Sequence, residues 1–323
     1  MREHSTIQSG AAGLAKGGKK VLVTGGAGFI GSNYAHYHVE QYLQDRVFVL
    51  DKLTYAGNKS NLKSLLEKDL ITFIQGDIAD EQFIHSLFET EKFDTVINFA
   101  AETHVDRSIK DPKPFVYTNV NGTFNLLEAS RKYNVKRYHQ ISTDEVYGDL
   151  GFGSTDYFTE QTTIKPNCPY AATKAAADIL VLSYEETYGM PITICRCSNN
   201  HGPYHVPEKM IPFFFNLASQ DKQLPVYGDG LNVRDWLYVV DHCRAIDMIV
   251  QSDKYGEVYN IGGHNEYNNL EITKFILDFF GKDESMITYV EDRKAHDRRY
   301  AMDPSKIGRE LGWKPSVTFQ QGI

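Results

Sequence analysis

Two pairs of residues in this 323-residue chain have the types and spacing needed for proton transfer. Tyr170 and Lys174 are one helical turn apart, so on a helix they share one face, and the ammonium can stabilise the phenolate of a side chain whose usual pKa is about 10. Such a phenolate is a base for alcohol oxidation. Asp144 and Glu145 are adjacent acids, which indicate that a group is also added or eliminated. An ordinary amphipathic-helix pair and an acidic helix start are the structural alternatives for these residues.

Oxidation needs a hydride acceptor, and a glycine-rich turn near the start of the chain is suited to hold one. The apolar run 20–24 leads into Gly26, Gly28 and Gly31, whose G-x-G-x-x-G spacing permits a tight turn and close approach of backbone to a pyrophosphate. A second apolar run ends at Asp51, about 20 residues after the last glycine, where a carboxylate accepts a hydrogen bond from a ribose 2′-hydroxyl and repels a 2′-phosphate. The sequence therefore predicts NAD rather than NADP as the cofactor.

The composition predicts a protein without nucleic-acid or membrane partners. The net charge of −8 and the pI near 5.8 provide no basic surface for nucleic acid, and no apolar run is long enough to span a bilayer. Residues 1–19 have the composition of a disordered leader or a tag remnant. Cys168, Cys195, Cys197 and Cys243 have neither metal-binding nor disulfide spacing, which predicts no metal site and a reducing, cytoplasmic location.

Strand-like apolar runs alternate with helical patterns, which predicts an α/β fold built on a doubly wound parallel sheet. Such a sheet binds ligands at the carboxyl ends of its strands, where the motifs above fall. We predict a NAD-binding Rossmann domain at 20–198 and a smaller α/β substrate domain at 199–323, with some segments of the latter returning to the first. The predicted strands are 21–24, 47–50, 71–75, 95–100, 137–142 and 192–197, and the predicted helices are 32–43, 81–89, 114–133 and 170–188.

The motifs resemble those of the extended short-chain dehydrogenase/reductase superfamily, and within it those of the nucleoside-diphosphate-sugar 4,6-dehydratases. The resemblance covers nearly the whole chain from residue 21. The acid pair is specific, because related epimerases need no such pair, and related decarboxylases and GDP-mannose dehydratases have Ser-Glu in place of Asp144 and Glu145. The matching stretches are 25–32, 51–58, 76–78, 98–108, 143–148, 169–174, 196–200, 202–204, 207–209, 228–236, 259–263 and 296–300.

The resemblance implies a redox-neutral, NAD-dependent dehydration, with dTDP-glucose as the expected substrate and dTDP-4-keto-6-deoxyglucose as the product, as in the biosynthesis of rhamnose and other deoxysugars. In it Tyr170 and Lys174 serve C4 oxidation, Glu145 removes the C5 proton, Asp144 protonates the C6 oxygen, and Thr143 hydrogen-bonds the C4 oxygen. UDP-glucose is the alternative substrate. A sugar-nucleotide epimerase or decarboxylase is the alternative enzyme, and a non-catalytic NAD sensor is the alternative from another class.

The resemblance also implies the residues that bind the two ligands, and a homodimer paired through the helices at 114–133 and 170–188. Arg234 and Arg293 are expected on the diphosphate, because a guanidinium binds phosphate oxygens bidentately. The expected cofactor contacts are Gly25, Gly28, Phe29, Ile30, Gly31, Asp51, Lys52, Thr54, Gly57, Asp77, Ile78, Phe99, Ala100, Ala101, Thr118, Tyr170, Lys174 and Asn200. The expected substrate contacts are Thr103, Thr143, Asn199, Lys209, Met210, Pro225, Tyr227, Arg234, Asn269, Arg293 and His296.

The chain departs from the family pattern at two places. His201 stands where relatives usually have Tyr, and Lys294 and Ala295 replace a common Pro-Gly. Both places are expected near the nucleotide end of the substrate, so they bear on base preference more than on the chemistry.

Overall fold

A sheet of parallel strands organises the chain, as predicted. The computed structural model describes residues 7–8 and 18–323. The predicted leader, residues 1–19, otherwise lies outside the described residues. The strands are β1 (Ile7–Gln8), β2 (Lys20–Thr24), β3 (Arg46–Asp51), β4 (Ile71–Gln75), β5 (Thr95–Asn98), β6 (Arg137–Thr143), β7 (Ile192–Cys197), β8 (Asn199–His201), β9 (Leu224–Tyr227), β10 (Val233–Tyr238), β11 (Glu257–Ile261), β12 (Glu266–Asn268) and β13 (Ile287–Val290).

Helices connect most of these strands. Three further turns are 3₁₀-helical, at Lys59–Leu62, Asp144–Tyr147 and Glu284–Met286, and Val116–Gly122 is π-helical. The α-helices are α1 (Phe29–Gln41), α2 (Lys63–Glu67), α3 (Glu81–Glu91), α4 (Val105–Lys110), α5 (Lys113–Phe115), α6 (Thr123–Lys132), α7 (Pro169–Tyr188), α8 (Met210–Ser219), α9 (Val239–Gln251), α10 (Asn269–Phe279), α11 (Ser305–Leu311) and α12 (Phe319–Gly322).

The central sheet has the strand order β4-β3-β2-β5-β6-β7-β11, all parallel, with β1 antiparallel on the β4 edge. The chain reverses direction across the sheet between β2 and β5, which confirms the doubly wound fold and creates a crevice at the carboxyl ends of these two strands. All six predicted strands are present. The seventh, β11, comes from the carboxyl-terminal part of the chain and was not predicted.

The sheet is buried on both faces, because its strands are apolar throughout rather than alternating. Along β2, Val21 and Val23 face a core shared with α1 and α9, whereas Leu22 faces a core shared with α3, α6 and α7. A separate, smaller core joins Phe214 of α8 and Ile276 of α10 to the β9 and β10 strands. The smaller core belongs to the carboxyl-terminal part, which adds the sheets β12-β10-β8 and β13-β9.

Helix α7 carries the predicted Tyr-Lys pair and has clear start and stop signals. Its N-cap is Cys168, whose sulfur accepts from the amide of Ala171 at 3.5 Å, and Pro169 occupies its first turn. Its C-cap is Gly189, whose φ of +63° is the left-handed conformation that glycine adopts without strain. These signals fix the helix to within one residue of the predicted range 170–188.

Three predicted elements differ from the structure. The helix predicted at 32–43 begins earlier, because α1 runs from Phe29 to Gln41. The strand predicted at 95–100 ends at Asn98, so that Phe99 and Ala100 leave the sheet and line the crevice. The helix predicted at 114–133 is not uniform, because its middle, Val116–Gly122, widens into a π-helical segment. The early end of the strand and the π-helical segment both lie beside the crevice. Segments of π-helix often occur at functional sites.

Candidate active site

The glycine turn after β2 forms the floor of a cavity at the switch point. Gly25 has a φ of +65°, and a Cβ there would lie 2.6 Å from the backbone nitrogen of Ala100. A Cβ on Gly31 would lie 2.4 Å from the carbonyl oxygen of Gly25, so both positions require glycine. A Cβ on Gly28 would meet only that same oxygen, at 3.2 Å, which leaves its outer side open to the cavity. The turn therefore presents bare backbone to a ligand.

Gly26 has a different role from the one its place in the motif suggests. A Cβ on Gly26 would lie 2.6 Å from Cγ1 of Val49, within the core, and this glycine does not line the cavity. It allows strand and turn to pack closely, while the sharp turn is made one residue earlier, at Gly25. The fold thus needs glycine at positions 25, 26 and 31, whereas the glycine at 28 leaves space on the cavity side of the turn.

Helix α1 points its amino-terminal end at this cavity. Its N-cap is Gly28, which has no side chain to accept from the amides of the first helical turn. These amides and the positive end of the helix dipole favour a phosphate or pyrophosphate. Phe29 and Ile30 line the cavity at this helix end.

Asp51 lies at the carboxyl end of β3 and lines the same cavity. Its Oδ2 accepts from the amide of Ala27 at 2.9 Å, and its Oδ1 accepts from the amide of Leu53 at 2.8 Å. Burial raises the pKa of this carboxyl, and the two amides oppose that rise. An ionised carboxylate has further lone pairs, so Asp51 can shape the glycine turn and accept from a ligand hydroxyl together.

The structure brings together every residue that the sequence predicted on the cofactor side. All of them line one cavity. The glycine turn and helix end suit a pyrophosphate, Asp51 suits a ribose hydroxyl, and Tyr170 and Lys174 line the same cavity. The predicted residues are Gly25, Gly28, Phe29, Ile30, Gly31, Asp51, Lys52, Thr54, Gly57, Asp77, Ile78, Phe99, Ala100, Ala101, Thr118, Tyr170, Lys174 and Asn200.

The acid pair follows β6 on a single 3₁₀ turn. Thr143 caps this turn, its hydroxyl accepting from the amide of Glu145 at 3.3 Å. Asp144 is only 2% exposed, and its Oδ1 accepts from the Thr143 hydroxyl at 3.2 Å. Its Oδ2 is buried with no hydrogen-bond partner among the described residues. Burial, reinforced by the charge of Glu145, raises the pKa of Asp144 well above its usual value, so it keeps its proton.

Glu145 lies in a more cationic setting. Burial raises its pKa too, but the charges of Lys209 and Arg234 oppose that rise. The pKa of Asp144 is therefore raised well above its usual value, whereas the smaller rise at Glu145 is opposed by two nearby cations. Such a divided pair can act as a general acid and a general base at one pH.

Tyr170 and Lys174 are both buried on α7, on the face turned to the cavity. The expected lowering of the phenol pKa is not found: burial and the charge of Glu145 raise the pKa of Tyr170 well above its usual value, while a hydrogen bond from Thr143 opposes them. Lys174 instead donates from Nζ to the carbonyl oxygen of Ile141 at 2.5 Å, and burial lowers its pKa. Helical spacing predicted the shared face correctly but not the depth of burial.

A second cavity opens from the first between the central sheet and the carboxyl-terminal part. The two cavities share Glu145, Asn199, Asn200, His205 and Lys209. Glu145 thus stands at their junction, within reach of ligands from both sides.

Cations line the second cavity. Arg234 donates from Nη2 to the carbonyl of Asp297 at 2.9 Å and stacks on the ring of Tyr300 at 4.2 Å. Arg293 lies over the ring of Tyr227 at 5.2 Å. With Lys209, which the preceding cavity shares, these guanidinium groups suit a diphosphate.

The residues predicted to bind substrate divide between the cavities. Thr103 and Thr143 line the first. The others line the second, namely Asn199, Lys209, Met210, Pro225, Tyr227, Arg234, Asn269, Arg293 and His296, and two of these, Asn199 and Lys209, line both.

Asn119 lines neither cavity, but it supports the wall of the first, a role that was not predicted from the sequence. From the π-helical segment its Nδ2 donates to the hydroxyl of Thr173 at 2.9 Å and to the carbonyl of Glu102 at 3.0 Å, and its Oδ1 accepts from the amide of Glu102 at 2.8 Å. It thereby ties the cavity wall to the residue before Lys174. Its position beside Thr118 was the only signal in the sequence.

The expectation for His201 is wrong. His201 lines neither cavity; it is buried among Trp236, Tyr238 and Phe319, where burial lowers its pKa to about 4. It supports the packing of α12 rather than contacting the nucleotide. Lys294 and Ala295, in contrast, do line the second cavity.

The side chains and helices of the described residues were also compared with the requirements for a metal site and for a membrane span. Among residues 7–8 and 18–323, no group of three or more His, Cys, Asp or Glu side chains is placed to hold a metal ion. Over the same described ranges, every helix falls short of the length and apolarity needed to cross a bilayer.

Comparison with known proteins identifies relatives that match nearly the whole chain. A family model described as GDP-mannose 4,6 dehydratase matches residues 22–323. The dTDP-glucose 4,6-dehydratase of Salmonella typhimurium is 48% identical to the chain over 327 aligned residues, which cover 94% of this chain and 90% of that protein.

Two solved structures are also similar. A dTDP-glucose 4,6-dehydratase from Bacillus anthracis, in complex with NAD, is 47% identical, covers 94% of each chain and has a TM-score of 0.87. A dTDP-glucose 4,6-dehydratase from Streptomyces venezuelae, with NAD and dTDP bound, is 44% identical, covers 94% of each chain and has a TM-score of 0.90.

Proposed function

The chain belongs to the family of nucleoside-diphosphate-sugar 4,6-dehydratases, and from this premise we propose that it is an NAD-dependent hydro-lyase that converts dTDP-glucose to dTDP-4-keto-6-deoxyglucose. The observation that carries this proposal is the divided acid pair at the junction of the two cavities. Asp144 is buried and neutral, whereas Glu145 faces Lys209 and Arg234. An epimerase, which only moves a hydride on and off C4, has no use for such a pair.

Oxidation at C4 uses Tyr170 as the proton acceptor from the C4 hydroxyl. Thr143, whose hydroxyl is close enough to affect the Tyr170 phenol, hydrogen-bonds the same C4 oxygen. NAD, when bound, would supply the hydride acceptor for C4 and the hydride donor for C6, and a positive charge in this cavity would oppose the burial that raises the Tyr170 pKa. Lys174 holds α7 against β6 through the Ile141 carbonyl and so sets the position of the phenol.

Elimination follows from the acidity that a C4 ketone gives to the C5–H bond. Glu145 removes the C5 proton, the electron pair forms the C5–C6 double bond, and the C6 oxygen leaves as water after taking a proton from Asp144. Asp144 is then the carboxylate and Glu145 the acid, so a proton from Glu145 returns to C5 when C6 is reduced. The C4 hydroxyl proton held by Tyr170 then passes to Asp144, which restores both residues, so the cycle balances as the loss of one water with no net change in the cofactor.

Binding of the sugar nucleotide is assigned to the second cavity. Lys209, Arg234 and Arg293 bind the diphosphate, and Tyr227 and His296 lie beside them. We assign residues 20–198 to cofactor binding and most of 199–323 to the sugar nucleotide, with β11 serving the central sheet. The other predicted cofactor and substrate contacts keep the roles that the family resemblance implies.

Assembly and location belong to the same proposal. Exposed apolar side chains on α6, α7 and the π-helical segment, which include Phe124, Ile179 and Tyr117, support a homodimer. The free, buried cysteines support a reducing cytoplasmic compartment, and the acidic net charge argues against a nucleic-acid partner.

The proposal is tested by incubating the purified protein with dTDP-glucose and, in parallel, with UDP-glucose, without added reductant. The 4-keto-6-deoxy product should form with dTDP-glucose and with no net change in NADH. A C4 epimer as the sole product, or NADH accumulating in proportion to turnover, would contradict the proposed reaction. Faster turnover of UDP-glucose would identify UDP-glucose as the preferred substrate and would not contradict the proposed reaction.

A further inference from the structure

The segment at residues 202–209 crosses from α1 to the loop before α4, between β8 and α8. It begins with a sharp bend, since Gly202 has a φ of +136° and Tyr204 a φ of +63°. A Cβ on Gly202 would lie 2.8 Å from Cγ1 of Val239, so the bend leaves no space for a side chain there. We call residues 202–209 the strap.

On one side the strap is fastened to α1. The amide group of Asn33 donates from Nδ2 to the carbonyl of Pro203 at 2.9 Å. The ring of His205 stacks on that of Phe29, with centroids 4.4 Å apart and planes 18° apart. Phe29 is the first residue of α1, so this stack lies at the helix end that faces the cofactor cavity.

On the other side the strap is fastened near α4. Lys209 donates from Nζ to the carbonyl of Thr103 at 3.3 Å. Glu208 accepts from Nη2 of Arg107 at 2.9 Å, and the Arg107 guanidinium stacks on the ring of Tyr55 at 3.7 Å. The strap therefore spans the distance between the glycine-turn side and the α4 side of the cavity.

The strap also forms part of the cavity wall. His205, Val206 and Lys209 line the first cavity together with Phe29 and Thr103, two of the residues to which the strap is attached. A dinucleotide that lies along the glycine turn would have the strap across it. Release of that dinucleotide past the strap would require at least one attachment to open.

We propose that the strap retains the cofactor through a complete turnover, and that the Arg107–Glu208 ion pair is the attachment that opens for release. The proposal rests on the proposed function, because a redox-neutral reaction succeeds only if the cofactor reduced in the first step is still bound in the last. Arg107 and Glu208 are the accessible attachment, with side chains 45% and 31% exposed. Water and salt reach this pair, whereas the Phe29–His205 stack and the Lys209 contact are less accessible.

The experiment measures the exchange of bound NAD for labelled NAD in the purified holoenzyme, without substrate. Glu208→Gln removes the ion pair at constant size and should speed exchange about two- to fivefold, the range expected for an exposed pair. Glu208→Arg sets like charges side by side and should speed it further. The charge swap Arg107→Glu with Glu208→Arg should return the rate toward that of the unmodified protein. Salt should speed exchange in the unmodified protein but not in Glu208→Gln.

Glu284→Gln is the matched control, because Glu284 makes an exposed ion pair of 2.8 Å with Lys274 far from the cavity. It should exchange NAD at the unmodified rate. Thermal unfolding of each variant shows whether a faster exchange reflects loss of the fold. Unchanged exchange in a folded Glu208→Arg variant, or a charge swap no slower than Glu208→Arg alone, overturns the strap proposal. A protein that binds no NAD at all would instead overturn the proposed function, so the two failures are distinguishable.

Discussion

The carboxylate of Glu145 raises the pKa of the neighbouring Asp144, which burial has already raised well above its usual value. Asp144 Oδ2 has no hydrogen-bond partner among the described residues, so the protein holds this group in a setting that suits only its neutral form. The arrangement favours donation of a proton to substrate. It also makes the ligand-free fold less stable wherever pH favours ionisation.

The first prediction is that Asp144→Asn stabilises the ligand-free protein at high pH. When the pKa of a carboxyl is raised in the folded protein, the free energy of unfolding falls as pH rises from the unfolded pKa, about 3.9, toward the folded pKa. An amide does not titrate, so the variant has no such loss. At pH 8 the variant should be more stable by about 0.5–2 kcal/mol, and near pH 4 the difference should disappear. Thermal unfolding at both pH values measures it, with Asp253→Asn at an exposed position as the control. Equal differences at the two pH values would argue against a raised pKa.

A second prediction concerns the acid limb of activity. Glu145 must be ionised to act as the base, and burial raises its pKa above the usual value of about 4.3, so product formation should fall as pH drops through that raised pKa. Lys209→Met removes a charge that opposes the rise, and the limb should move to higher pH. The measurement is the rate at saturating substrate against pH. Lys274→Met, which removes an exposed lysine elsewhere, should leave the limb in place, and an unmoved limb in Lys209→Met would exclude this pairing.

The third prediction assigns cofactor choice to Asp51. Asp51→Asn keeps the size of the side chain but replaces one acceptor of the Ala27 and Leu53 amides with a donor. It should lower the NAD that copurifies and weaken the preference over NADP by about tenfold or more, since it removes both the ribose acceptor and the charge that repels a 2′-phosphate. Nucleotide released by denaturation identifies the cofactor. If the unmodified protein releases mainly NADP, Asp51 does not have this role.

Local signals predicted the crevice, because they act within a few residues. The apolar runs before Gly25 and Asp51 are short, buried strands, and parallel strands bring their carboxyl ends together wherever the connecting helices allow it. Thr143, Asp144 and Glu145 follow a strand in the same way. The site was therefore predictable from where its residues stand relative to strand ends.

Long-range packing was not predictable from the same signals. Strand β11 is five residues long and pairs with β7, which lies far before it in the sequence, so its place depends on tertiary contacts. Spacing put Tyr170 and Lys174 on one face but contained no information on burial, which reverses the expected shift of the phenol pKa. His201 looked like a nucleotide contact by position in a motif, yet its ring packs against Phe319.

The fourth prediction is that exposed apolar residues of α6 and α7 form a dimer interface. Ile179 is 57% exposed on α7, and Phe124 is exposed on α6. Phe115, Leu126, Leu127 and Val181 on the same elements lie in the core, so they are not available to such an interface. Light scattering should give twice the chain mass of 36.7 kDa, and Ile179→Glu should reduce it to one chain. Leu43→Glu, at a residue 68% exposed elsewhere, should remain dimeric. A single-chain particle from the unmodified protein would refute the interface.

The last prediction separates oxidation from elimination, the two steps assigned to different residues. Tyr170→Phe removes the acceptor of the C4 hydroxyl proton, so substrate should no longer reduce the bound NAD. Asp144→Asn and Glu145→Gln should leave that reduction largely intact and slow the loss of water, because a positioned general acid or base contributes about 10²–10⁴-fold. These variants should therefore accumulate enzyme-bound NADH, followed by its absorbance after rapid mixing with dTDP-glucose, while product formation stalls.

Conservative substitutions and a companion variant distinguish a lost catalytic role from a lost fold. Asp144→Asn and Glu145→Gln preserve side-chain size, and Asp144 already occupies its site as a neutral group, so misfolding is not the expected cause of lost activity. Thr143→Val is the companion variant, since it removes the hydroxyl that Tyr170 and Asp144 share and should impair reduction of NAD as well as elimination. If Asp144→Asn formed product at the unmodified rate, Asp144 would not be the general acid. The distinction between this site and those of epimerases and decarboxylases, which rests on Asp144, would then fail as well.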